Sequence, residues 1–548
     1  MRLPRLAAVV GAIVVGVALV GIALTERTHP ERLTEVYTPT FPQVPAAPPL
    51  TVTLSRLWND LQTPAGQALL RRMLPNQGGV LWLALIVALL VGFDWDRLDN
   101  PRNVDLIAMQ AIGFVMFEIL RFPRLLLDAV YVELMNWVFI AIFVLNIVVI
   151  VRAWRRIRRD AAIGWRPGIA RRALIALTAV LVVVSVMDAL VREPDDVGFF
   201  ANLGAQRLRE RHALPYGDPL LTGSAGAAYG PLLFVAHLPF QWALSPTPLN
   251  DSSPDVVPLG AAGPYILPPP LATKLCTITF HAIGLIALFM SARRFAGPDV
   301  AWAVVALYCG SAYVLGVGGD DFFIGGMTYI SHIAPTAVTL VAFALLPSPA
   351  LAGLALATAA GVGFYPAFMA PAWLGYYWDR PRGRAAFAAG FAAASTAIGI
   401  PVLLLSRPAA GRGLVATILN DTFGHHTDPR HYGFSPFSFW GQKGGIRGWF
   451  NTPLAGGSGF TTPMFLSFAA LVIGSFWLTR RRAPSHVALA SAIVALGASL
   501  TKIHPTGTYI AWAYPFLLLG FFADEPQVAE AELRIAAGRQ DADHVERR

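Results

Sequence analysis

Charge is scarce in this chain. Only 14% of its 548 residues are Asp, Glu, Lys or Arg, against about 25% in an ordinary soluble domain. Lysine is nearly missing: Lys274, Lys443 and Lys502 are three of 42 basic residues. Cysteine is limited to Cys276 and Cys309, both in apolar runs. Two such residues exclude a disulfide framework and a thiolate metal centre. Low charge and a mean hydropathy of +0.54 exclude a disordered chain. The absence of periodic apolar stripes excludes a single soluble domain, because hydrophobic residues, 55% of the total, come in long blocks. The class expected is all-α, a polytopic helical membrane protein.

A bilayer-crossing helix needs about 20 apolar residues, with about 17 as the lower limit. Blocks of that kind cover 7–24, 79–93, 104–121, 132–151, 172–191, 271–291, 298–317, 328–346, 385–406, 463–479, 484–500 and 508–523. The stretch 349–378 is broken by Gly361, Gly363 and Pro366 and reads as two short helices. About fourteen crossings are expected. Residues 152–172 carry eight arginines and one aspartate; Arg293-Arg294, DRPRGR at 379–384 and Arg480-Arg481-Arg482 add further basic connections. If all face the cytoplasm, the crossings alternate consistently, with 192–270 as one long outer loop and both termini inside. The 14-residue stretch YGPLLFVAHLPFQW (229–242) is too short to cross and reads as an in-plane or re-entrant helix. The basic start MRLPR fits an uncleaved anchor better than a signal peptide, since the cleavage site is weak. Three parts result: an N-terminal four-span module with its Arg-rich linker (1–170), a larger membrane module (171–523) and a cytoplasmic tail (524–548) with seven acids and four arginines. Nucleic acid is not an expected partner, because the arginines stand at helix ends as topology determinants.

This topology gathers Asp and His on the outer face. Asp195-Asp196, in REPDDVGFF, directly follows a long apolar block. An amphipathic run (201–217) then ends at Pro215-Tyr216-Gly217, and Tyr229-Gly230-Pro231 opens the short helix. A carboxylate there would stand at headgroup level, within reach of both a lipid-linked phosphate and a water-borne acceptor. A second acidic pair, Asp320-Asp321, lies among glycines, as solvated turn aspartates often do. The outer stretch 420–445 holds His425, His426, His431, two aspartates and several aromatics, including Trp440. Its spacing matches no zinc pattern. Its aromatics suit either stacking on sugar rings or packing on the membrane surface. Within the later spans, Asp188 and His332 are the ionisable residues singled out, His332 as a satisfied buried histidine.

The order of these features resembles the first outer loop of GT-C membrane glycosyltransferases: Asp, aromatic pair, amphipathic helix, Pro-Tyr, then Tyr-x-Pro-Leu. It is most similar to the polyprenyl-phosphate-mannose-dependent enzymes of glycosyltransferase family 87. LAGLALATAAGVGFYPAFMAPAWLGYYWDRPRGR (351–384) resembles that family's small-residue helix, Tyr-Pro break and basic turn, with Gly363 where the family often has Lys. KIHPTGTYIAWAYPFLLL (502–519) resembles its final helix pair. The resemblance spans roughly 172–523 and leaves the N-terminal 170 residues outside.

It implies a GT-C-like core with in-plane helices and an inverting transfer of a sugar, mannose as first guess. The donor is a polyprenyl-phosphate sugar, and the acceptor an envelope glycolipid or glycan outside a bacterial plasma membrane. Asp196 is the expected general base and Asp195 the alternative, with His504 assisting or bonding the leaving phosphate. Candidate substrate contacts are Tyr216, Tyr229, Asp320, Asp321, Tyr365, Arg407, His425, His426, Trp440 and Lys502. No metal or other cofactor is expected, as the family generally manages without metal; carboxylate oxygens would nonetheless suit Mg²⁺ or Mn²⁺. The competing readings are a lipid-sugar transporter or flippase, and a non-catalytic GT-C-like assembly partner.

Overall fold

The computed structural model describes residues 77–120, 129–159, 165, 167–192, 194–218, 228–244, 256–258, 264–266, 270–318, 323–324, 326–424, 461–501 and 507–523. Among these the protein is built of helices. The exceptions are two antiparallel ribbons, β1 (Val256–Pro258) with β2 (Pro264–Ile266) and β3 (Val317–Gly318) with β4 (Phe323–Ile324).

The N-terminal part supplies α1 (Gln77–Val87), α2 (Pro101–Leu120) and α3 (Ala129–Arg159). The middle supplies α4 (Arg171–Val191), α5 (Asp196–Arg211), α6 (Pro231–Leu244), α7 (Pro270–Ala296), α8 (Pro298–Cys309), the single turn α9 (Ala312–Leu315), α10 (Ile330–Ala344) and α11 (Pro349–Val362). Then come α12 (Ala370–Tyr377), α13 (Pro381–Leu405), α14 (Leu414–Leu419), α15 (Thr461–Thr479), α16 (Pro484–Thr501) and α17 (Tyr514–Phe522). Proline opens many of them, at Pro101, Pro231, Pro270, Pro298, Pro349, Pro381 and Pro484. Its fixed φ suits a first helical turn, whose N–H has no intrahelical acceptor to lose.

Three of these helices are long and apolar enough to cross a membrane: α4 (mean hydropathy 2.6), α7 (1.9) and α13 (1.9). The other apolar helices are shorter or less uniformly apolar, so the fourteen crossings expected from sequence are not established by length and composition. The stretch 298–317 is not one helix. α8 stops at Cys309, where Gly310 lies against Val87 and the Ser311 hydroxyl donates to the Tyr308 carbonyl (2.7 Å). In contrast, α3 runs on to Arg159, so the arginines at 152–159 are helical and not part of a loop. Arg favours helix, and Arg152 bridges to Asp105 and donates to the Pro101 carbonyl. The break within 349–378 is present: α11 ends at Val362, a 3₁₀ turn covers Tyr365–Met369, and α12 follows.

One apolar core joins early and late helices. α2 meets the C-terminal part through Gln110, which donates to the Tyr514 hydroxyl (3.1 Å), and α9 meets α2 through Tyr313, which donates to the Met109 carbonyl (2.5 Å). Residues 77–159 therefore share a core with 270–523, although the family resemblance stops short of them. α16 is buried on all sides from Val487 to Ala498, as an interior helix that is apolar or small all round should be.

α11 and α13 pack closely through small residues. A Cβ at Gly353 would stand 2.2 Å from the Phe387 carbonyl oxygen, and one at Gly390 would stand 2.0 Å from that of Ala350. Small residues let backbones approach where lipid offers no hydrophobic drive between helices. Gly353→Val or Gly390→Val should cost about 1–3 kcal/mol by overpacking. Gly399→Ala, where nothing lies within 4 Å, should be neutral or gain up to about 1 kcal/mol. Thermal unfolding in detergent checks both; an unchanged midpoint for both valine variants would contradict this packing.

Candidate functional site

The site is built at the end of α4. The helix terminates in extended backbone at Arg192, and Asp195 then caps α5. The Gly198 amide donates to Asp195 Oδ1 (2.8 Å), satisfying one of the open N–H groups of the first turn. The Asp195 amide donates to the Thr328 carbonyl (3.2 Å), tying the cap to the turn Gly326–Thr328 just after β4. Asp196 is the first residue of α5. Both aspartates thus stand in sequence at the N-terminus of α5, where the macrodipole favours negative charge.

α7 lies beneath this turn. Thr273 donates to the Gly198 carbonyl (3.1 Å), and buried Lys274 donates to the Leu190 carbonyl (3.2 Å) at the end of α4. Deeper along the same helices, Ser185 and His281 Nε2 are 3.0 Å apart, His281 stacks on Tyr308, and Asp188 pairs with Arg192. Sequence reasoning missed Lys274 and His281 as ionisable residues of a span. They interrupt the apolar run of α7 only singly, and their one readable signal was that interruption.

α5 and α6 form a layer over this region. Gln241 of α6 donates to the Asn202 carbonyl and side-chain oxygens (both 2.6 Å), and Arg207 pairs with Asp218 (3.3 Å). α6, at 14 residues, is about 21 Å long, short of the roughly 30 Å hydrocarbon core.

The Pro215-Tyr216-Gly217 turn is the hub behind it. The Tyr216 hydroxyl donates to the Tyr229 carbonyl (2.7 Å), and the Arg407 amide donates to the Tyr216 carbonyl (3.2 Å). Gly217 has φ +81°, and its amide donates to Asp421 Oδ2 (2.8 Å). A Cβ there would strike the Arg407 carbonyl at 1.9 Å. Burial, and then the neighbouring Asp421 carboxylate, push the Tyr216 hydroxyl well above its usual range, so it acts as a neutral donor. Tyr216, Tyr229 and Arg407 are therefore brought together, the two tyrosines as buried framework and Arg407 exposed. Asp421, a residue of the aromatic outer stretch given no individual role, proves to be the acceptor that holds this turn. No local pattern predicts a contact between positions 217 and 421.

Tyr365 is buried and stacked on Trp512 (4.1 Å, 10° between planes), with its hydroxyl 2.9 Å from that of Thr336. His332 is enclosed by Tyr329, Tyr509 and Trp512, in keeping with a packed histidine. A Cβ at Gly363 would stand 3.1 Å from the Pro335 ring, so this position faces packed α10 and leaves little room for a lysine. The side chain of Asp196, and Asp320, Asp321, His425, His426, Trp440, Lys502 and His504 altogether, lie outside the described residues. Among the described residues no group of three or more His, Cys, Asp or Glu is placed to hold a metal ion.

The geometry separates the two aspartates. Asp195 caps α5 through its side chain, while Asp196 is the first residue of that helix. Asp195→Ala should cost about 1 kcal/mol through the lost cap. Asp195→Asn, which keeps a side-chain oxygen for Gly198, should cost little; equal unfolding midpoints for wild type and Asp195→Ala would contradict the cap. Compared with known proteins, the chain matches no family model, no curated protein and no solved structure.

Proposed function

We propose that the chain is an integral membrane glycosyltransferase that moves a sugar, mannose as first choice, from a polyprenyl-phosphate donor to an envelope glycolipid or glycan. The observation that carries this reading is that Asp195 and Asp196 open α5 just after an apolar membrane-length helix ends, with the short α6 packed on α5. The acceptor hydroxyl oxygen attacks the anomeric carbon, the bond from that carbon to the phosphate oxygen breaks, and the hydroxyl proton passes to the carboxylate. Asp196 is the base, since Asp195 serves the cap. The departing phosphate gains negative charge and needs a cation or donors. Lys274 is the buried cation placed next to Thr273, which itself bonds the first turn of α5. Catalysis belongs on the outer face of a bacterial plasma membrane, with the arginine-rich helix ends inside.

A second reading is favoured by one observation. Asp188, Lys274, His281 and His332 are all buried within helices, and ionisable groups at such depth mark transport paths as well as active sites. A lipid-sugar transporter would move the donor between leaflets without breaking the phosphate ester.

Purified protein supplied with a synthetic polyprenyl-phosphate sugar and acceptor separates the two. Asp196→Asn should lower transfer by about 10²–10⁴-fold, while Asp195→Asn stays within a few-fold of wild type. Full transfer by both variants would remove the general base. Leaflet exchange of the donor without product would favour the transporter.

A further inference from the structure

A second feature lies where α3, α15 and α16 meet. α3 packs on α16 and more thinly on α15, leaving a groove of about 270 Å³ between them. Its lining is Ile150, Val151 and Trp154 of α3, Leu471, Gly474 and Leu478 of α15, and Ile493 of α16. No lining residue is ionisable, so the groove suits a hydrocarbon chain. Its rim is different. On the α3 side the Arg158 guanidinium sits 5.5 Å from the centre of the Trp154 ring, and Arg155 and Arg158 are exposed. On the α15 side, two residues beyond Leu478, Arg480, Arg481 and Arg482 follow in sequence. Asp379 takes both Arg480 (2.8 Å) and Arg481 (3.0 Å), and the Arg481 side chain is 76% exposed. Trp154 and Trp477, near the C-terminal ends of α3 and α15, are both exposed, and tryptophan is enriched at membrane–water interfaces.

Arginines placed only to fix topology need no groove beside them. Here an apolar groove carries, at its lining residue Trp154, the Arg158 guanidinium, and α15 runs from Leu478 into three arginines; apolar groove and cations together complement a phospholipid of net negative charge. The geometry points to a binding site for an anionic phospholipid, its acyl chain in the groove lined by Trp154, Gly474 and Leu478 and its headgroup phosphate against Arg158 and Arg481. The site is at the arginine-rich ends of α3 and α15. Asp195 follows the end of α4 remote from the arginines Arg171 and Arg172 that begin it. It is independent of the transfer reaction.

Gly474 offers a clean test. A Cβ there meets nothing within 4 Å, so a large side chain fills the groove without displacing the packing. Full-length protein, delipidated in detergent, is incubated with phosphatidylglycerol, phosphatidylcholine or inorganic phosphate, and retained lipid is counted by native mass spectrometry. Wild type should retain phosphatidylglycerol over phosphatidylcholine by about fivefold per arginine engaged. Gly474→Trp should abolish that preference, Gly474→Ala should keep it, and Arg158→Gln and Arg481→Gln should each weaken it by about fivefold. Arg158→Gln is an exposed change, so it reads the site even if the tryptophan variant folds poorly. Equal retention of the two lipids by wild type would overturn the site. So would unchanged phosphatidylglycerol retention in Arg158→Gln and Gly474→Trp, or displacement of the lipid by millimolar inorganic phosphate.

Discussion

The turn between α4 and α5 sets the rest. An apolar helix that leaves the membrane must satisfy its last carbonyls and start the next element at once, because unpaired backbone groups are costly near hydrocarbon. Here Lys274 reaches the Leu190 carbonyl, the Asp195 carboxylate receives the Gly198 amide, and the Asp195 amide reaches Thr328. Three segments far apart in sequence are thereby fixed around two adjacent aspartates. Thr273 adds a fourth contact and seats α5 on α7. Weakening this knot would free the α5–α6 layer as well as the acids.

The same economy governs the core. Several polar groups inside are paired along the helices that carry them or across one interface, as with Ser185 and His281 or Gln110 and Tyr514. Small residues bring α11 against α13, while most of α13 stays exposed, Leu404 by 76%. Burial of Tyr216 beneath the outer layer makes it a fixed donor, and Asp421 closes the hub from the far side of the chain.

Much of the helical plan was legible, because it rests on local signals. Prolines mark helix starts, and the glycines and proline of 361–366 announce the break that the 3₁₀ turn Tyr365–Met369 fills. The signals failed where tertiary contact decides. The gap between α8 and α9 depends on Gly310 meeting Val87, and the extension of α3 depends on Arg152 finding Asp105. At the site, the position of Asp195 and Asp196 after a long apolar block was readable. The division of labour was not, since capping is a matter of which oxygen meets Gly198. Nor could sequence join residue 217 to 421, or place Lys274 beside the end of α4, because neither follows from spacing.

The most direct measurement is the stereochemistry of transfer. Purified wild-type protein, given a synthetic polyprenyl-phosphate sugar of known anomeric configuration and a glycan acceptor, should yield product whose anomeric centre is inverted by NMR. A single displacement assisted by one carboxylate base requires that result. Product of retained configuration, or leaflet exchange of the donor with no sugar transferred, would contradict it.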